Sequence, residues 1–239
     1  MNRSIRYLFF LCLFVVFGSL SYAQEGQYIE VRDLETWTGA QLKYKWNDQL
    51  AFGLKGQLRL DRNSSELESY LSEFETKYNV NKHFQLALGL RFSNKLDNEG
   101  NNQGFEQHFR YHLDASYKHD IKRFNLEYRL RYQNRNEIGV STEQGDVAIQ
   151  NIRFKTALKY NIKNWKLDPE FSTEIFNRYE KNGQSNGFDQ FRFTAGTSYK
   201  LKSIGKIGLY YRIDQEISSF YPKTTNIVLL NYSYTFKNK

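Results

Sequence analysis

Arg110, Arg153 and Arg192 each precede a tyrosine, Tyr117, Tyr160 and Tyr199, by the same seven positions. Side chains on an extended backbone alternate between two faces, so an odd offset puts each arginine opposite its tyrosine, and an equal offset puts all three at similar depth. Arg59, Arg91, Arg129, Arg131 and Arg212 fall on the same inner face of the intervening segments. A ring of arginines in a pore selects for anionic solutes, which would make this belt an anion-preferring constriction. Glu73, Glu75, Glu106, Asp114, Glu127, Glu170, Glu174, Asp214 and Glu216 share that face. The belt could therefore also satisfy itself as an ion-pair network that stiffens the fold.

Histidines raise the question of catalysis. His108 and His112 alternate with Arg110 on one face beside Glu106 and Asp114, whereas His83 and His119 fall at turns. A general base or a metal ligand is conceivable in that row, but either needs further groups from other segments. The sequence contains neither a glycine-rich phosphate loop nor a cysteine-based metal pattern. No catalytic residue, metal site or cofactor is assigned, and the reading leans away from an enzyme.

The segments that carry these residues read as β-strands. Leu50, Phe52, Leu54, Leu58 and Leu60 alternate with Lys55, Gln57, Arg59 and Asp61 over about eleven residues, the period and length of a tilted membrane-crossing strand. The pattern recurs down the chain, and six strands close on tyrosine: Tyr44, Tyr78, Tyr117, Tyr160, Tyr199 and Tyr234. The interval of 34 to 43 residues is the length of two such strands and their connections. Short turns follow these tyrosines, while longer loops rich in Gly, Asn, Ser and Glu join the opposite ends, as in bacterial outer-membrane barrels. Six strands then descend to the periplasm and five ascend. Barrels of this class have an even number, so Gln27 to Asp33 is enlisted as one more ascending strand. The expected fold is all-β, a transmembrane antiparallel up-and-down barrel of about twelve strands, with ten as the alternative.

The remaining features agree on an exported chain. Arg3 and Arg6 precede an apolar stretch from Tyr7 to Phe17, and Ser21-Tyr22-Ala23 supplies a small-x-small cleavage pattern, giving a signal peptide over 1–23 and one barrel domain over 24–239. Cys12, the only cysteine, would leave with the signal, and the formal net charge of +8 would fall to about +6. The charges are interspersed, and an exported chain without a basic helix is no nucleic-acid binder. The six tyrosines, with Trp37, Trp46, Phe84, Phe124 and Trp165, are expected as interfacial aromatic girdles. A soluble secreted β-protein also has one apolar face per strand, so alternation alone leaves that alternative open.

Several short motifs add a resemblance. Trp37-Thr38-Gly39 leading to Tyr44, Leu58-Arg59-Leu60, Tyr78 followed by Lys82, Gly89-Leu90-Arg91, Tyr117-Lys118 and Tyr128-Arg129-Leu130-Arg131-Tyr132 resemble the domain-of-unknown-function family 2490. The resemblance implies an outer-membrane β-barrel of Gram-negative bacteria with no established activity and no catalytic residues to transfer. Tyr232, Tyr234 and Phe236 resemble the C-terminal strand signal read by barrel-assembly machinery, with Lys237 to Lys239 as a departure. Ser185-Asn186-Gly187 is similar to the serine segment of barrel lipid hydrolases, although Gly183 stands where that pattern needs histidine. The expectation is a porin-like protein of the cell outer membrane, structural or a narrow passive conduit, with an arginine-rich lumen biased to anionic solutes. Its expected partners are outer-membrane lipid and lipopolysaccharide, barrel-assembly machinery and a small anionic solute; a lipid-modifying hydrolase is the alternative.

Overall fold

A computed structural model describes residues 31–98, 103–141, 143, 146–180 and 186–238. The proposed signal segment, most of Gln27 to Asp33, Gly183 and Ser185 lie outside the described residues. The strands are β1 (Val31–Lys45), β2 (Leu50–Asp61), β3 (Glu66–Asn79), β4 (Phe84–Asp97), β5 (Gly104–Ile121), β6 (Phe124–Glu137), β7 (Ile149–Tyr160), β8 (Asp168–Glu180), β9 (Gly187–Leu201), β10 (Gly205–Glu216) and β11 (Lys223–Lys237). These eleven strands of the described residues join in one closed barrel.

The count corrects both the expected twelve and the alternative ten. The segment from Asp33 to Trp37 contains Leu34, Glu35 and Thr36, with no Gly, Pro or Asn to reverse the chain, so the backbone runs through it extended. Residues 31–33 are consequently the start of β1 and form no separate hairpin arm. An odd count brings the first and last strands together in parallel. β1 pairs with β11 from Val31↔Lys223 to Lys45↔Lys237, whereas every other neighbouring pair is antiparallel. The parallel ladder removes the open edges without a further strand.

Connections after β1, β3, β5, β7 and β9 run two to seven residues, and those at the other end four to eleven. Two of the tight turns use the same device. Asn47 Oδ1 accepts the N–H of Gln49 at 2.9 Å and of Leu50 at 2.7 Å. Asn81 Oδ1 does the same for His83 and Phe84, both at 2.8 Å, so each asparagine folds the backbone into the next strand.

The polarity of the fold is inverted relative to a soluble domain. Leu54, Leu58, Leu113, Leu130, Ile152 and Leu209 are each more than half exposed on the outside. The buried set is largely polar, including His112, Asp114, Arg131, Gln133, Arg153 and Glu174. An apolar cluster of Trp37, Ile227 and Leu229, with Tyr210 against it, lies inside the barrel at the parallel seam.

Candidate functional site

The interior encloses a cavity of about 630 Å³ lined by thirteen basic side chains and three carboxylates. Arg59, Arg91, Arg110, Arg129, Arg131, Arg153, Arg192 and Arg212 are all on its wall, with Glu73 and Glu75. Two smaller cavities share walls with it. One shares Lys155, Lys206 and Arg212 and reaches Lys159 and Glu170 near the short turns. The other shares Trp37, Arg59 and Arg192 and reaches Glu35, Glu68 and Glu216 at the opposite end.

Register decides which charges meet. Asp114 stands directly opposite Arg131 across β5 and β6, and its two oxygens accept from Nε at 2.6 Å and Nη2 at 2.7 Å. Glu174 accepts from Arg153 Nη2 at 2.8 Å and from Arg129 Nη2 at 2.7 Å. Glu73 takes Arg91, its direct partner, through Nε at 2.6 Å, and Arg110 from one strand further at 3.2 Å. Asp214 is held by a fork from Arg192, including an Nε bond at 2.6 Å. These forked, charge-assisted bonds stabilise a pair in an environment where an unpartnered charge would be costly. Glu106 is away from this cluster, 3.7 Å from His108.

The belt is uneven around the barrel. The residues seven positions before the six repeat tyrosines are Trp37, Leu71, Arg110, Arg153, Arg192 and Ile227. The arginines occupy β5, β7 and β9, while the apolar residues occupy β1, β3 and β11, near the seam. Trp37 is therefore an interior side chain, 7% exposed, which corrects its expected place in the interfacial girdle. The Arg59 guanidinium lies 3.7 Å from the ring centroid and that of Arg212 5.2 Å, while the indole N–H donates to Glu35 at 2.8 Å. Phe176 serves Arg153 and Arg192 in the same way, at 4.2 and 4.9 Å. Bulges in the ladder adjoin both Arg59 and Phe176. A bulge re-aims nearby side chains, consistent with these two close ring contacts.

Among the described residues, Lys43, Lys55, Arg59, Arg135, Lys155 and Arg212 line the interior without a carboxylate within ion-pairing distance, and Arg59 and Arg212 are the two of these that meet an indole. Arg59 has only Gln57 Oε1, at 3.4 Å, and Arg212 only Thr194 Oγ1, at 3.2 Å, besides the Trp37 ring. Lys55 and Lys155 extend the basic wall beyond the arginines, on the inner face to which strand alternation assigns both.

Glu75, His112 and Asp114 bring one ligand atom each within 4.8 Å of one another. Both Asp114 oxygens are already engaged by Arg131, and Lys77 Nζ is 2.9 Å from Glu75. Arginines surround the trio, so it is poorly suited to a cation. His112 is fully buried with no hydrogen bond at either ring nitrogen, and its imidazole fills the space over Gly89. His83 Nδ1 is 2.9 Å from the Lys118 carbonyl oxygen, and His119 stacks on Tyr128 with ring centroids 5.9 Å apart. His108 is opposite Ser93 in the register of β4 and β5, with Glu106 3.7 Å from its Nε2.

The six tyrosines end their strands at the short-turn rim. Tyr78, Tyr117 and Tyr199 are exposed, and Tyr44, Tyr160 and Tyr234 are half-buried. Neighbouring rings touch, as in Phe124–Tyr160 at 4.8 Å and Tyr234–Phe236 at 4.7 Å between centroids.

Fold and interior together define a closed β-barrel with an apolar exterior and an arginine-rich, ion-paired lumen. The chain belongs to the family described as protein of unknown function (DUF2490), whose model matches residues 34–219. No curated protein matches it.

Proposed function

We propose that the protein is a bacterial outer-membrane β-barrel that acts as a narrow passive conduit, with a structural role for its rigid wall, and that its lumen favours anionic solutes. The observation that carries this reading is the inverted polarity: leucine, isoleucine and phenylalanine side chains face outward over the strand surface while the charges face inward. Water would not tolerate so broad an apolar exterior on a monomer, and hydrocarbon would cover it at no cost. Strands of twelve to eighteen residues are long enough to cross a bilayer when tilted. The short-turn rim with its tyrosines then sits at the periplasmic interface, and β11 presents Tyr232, Tyr234 and Phe236 to the assembly machinery. A signal peptide over 1–23 and the Gram-negative source implied by the resemblance complete the reading.

The excess of basic over acidic side chains on the cavity wall gives the anion preference its physical basis. Proteoliposomes loaded with chloride or phosphate and with potassium test it. Anion efflux faster than potassium efflux supports the conduit. Liposomes that retain every ion despite containing the folded barrel remove the conduit and leave the structural role.

A further inference from the structure

Among the described residues, four carboxylates deep in the barrel are engaged by arginines: Glu73 by Arg91 and Arg110, Asp114 by Arg131, Glu174 by Arg129 and Arg153, and Asp214 by Arg192. Arg59 and Arg212 stand outside this network. They approach from β2 and β10, on either side of the seam strands β1 and β11, and converge on Trp37. Their distances to one ring centroid place the two guanidinium carbons no more than about 9 Å apart. Lys55, four positions before Arg59 on the same face of β2, lines the same cavity as both. Glu73, the register partner of Lys55, is committed to Arg91 and Arg110. Cations that share one enclosed wall with no carboxylate of their own repel one another, and an anion between them relieves that repulsion.

The Trp37 ring fixes the geometry of this cluster. Stacking holds a guanidinium by its face and leaves the edge, with its N–H donors, available. Trp37 is itself locked by its N–H bond to Glu35 and by packing on Ile227 and Leu229. The donors border the 630 Å³ cavity, which exceeds the size of a tetrahedral oxyanion and leaves room for a small organic substituent.

We propose that Arg59, Arg212 and Lys55 form a binding site inside the lumen for a multiply charged oxyanion of the phosphate type, either free or as a water-soluble phosphomonoester. The inference rests on the reading of an anion-favouring lumen and goes further by giving that lumen a specific, saturable site. A multiply charged oxyanion accepts from several donors at once and neutralises more than one cation, so it is held more tightly than chloride.

The test uses the full folded barrel in detergent micelles, where binding is measured without reference to membrane flux. Of the three tryptophans, Trp46 and Trp165 are replaced by phenylalanine so that Trp37 is the sole indole reporter. Inorganic phosphate and glycerol phosphate are titrated against chloride at constant ionic strength, and calorimetry on the same samples guards against an optical artefact. The expected result is a saturable response to at least one phosphate and none to chloride. Arg59→Gln and Arg212→Gln are each expected to weaken phosphate binding by about tenfold or more, as loss of a charge-assisted bond implies. Arg62→Gln, on the exposed β2–β3 turn, is expected to leave it unchanged. Equal responses to phosphate and chloride, or unchanged affinity in both lumenal variants, would overturn the site. Anion-selective flux without saturable binding would remove the site and leave the conduit standing. Binding by a barrel that passes no ions would keep the site and remove the conduit.

Discussion

The His112 imidazole occupies the space above Gly89, its register partner on β4, where a side chain would begin. A β-carbon on Gly89 would collide with the ring. His112 is fully buried and cannot swing into solvent. Gly89→Ala is therefore expected to destabilise the barrel by about 1–3 kcal/mol through overpacking. Adding His112→Ala should recover most of that loss, because the two positions share one space. Urea unfolding of the four variants in lipid or detergent measures this coupling; a neutral Gly89→Ala would contradict it.

Arg131 and Asp114 present a different dependence. Both are buried, and the fork between them uses both carboxylate oxygens. Asp114→Asn leaves a buried guanidinium without its counter-charge, and the expected loss is about 3–5 kcal/mol. Replacing both residues with apolar side chains of similar volume should cost much less, since the desolvation of each charge disappears with the pair. Equilibrium unfolding of the single and double variants separates these outcomes. Equal losses in the two would argue against an ion pair as the unit that matters.

The parallel seam is open to a direct covalent test. Gln41 on β1 and Ser233 on β11 are register partners and both line the water-accessible cavity. With Cys12 replaced by serine, Gln41→Cys together with Ser233→Cys is expected to form a disulfide on mild oxidation. The cross-link would appear as a mobility change in denatured, unreduced protein. A twelfth strand between them would hold the two cysteines well apart and prevent it.

Much of this architecture is legible in the chain, because strand alternation and the tyrosine spacing directly express the face and end of each strand. Six descending and five ascending strands are visible as such. The added twelfth came from the even-number habit of bacterial barrels, whereas an extended path through Leu34, Glu35 and Thr36 lets β1 close on β11 in parallel. Trp37 shows the same limit of a general habit. Aromatic character points to an interface, whereas the offset of seven from Tyr44 is the one shared by the inward arginines. What alternation cannot express is register between strands distant in sequence. The pairing of Glu174 with Arg129, and the convergence of Arg59 and Arg212 on one indole, require the closed barrel.

A positively charged lumen should pass anions in preference to cations. Reversal potential in a planar bilayer, with the purified barrel separating unequal concentrations of potassium chloride, measures that preference most directly. The expected reversal potential is on the chloride side of zero, moving toward zero when Arg59 and Arg212 are both replaced by glutamine. A cation-selective potential, or a folded and inserted barrel that gives no conductance at all, would contradict it.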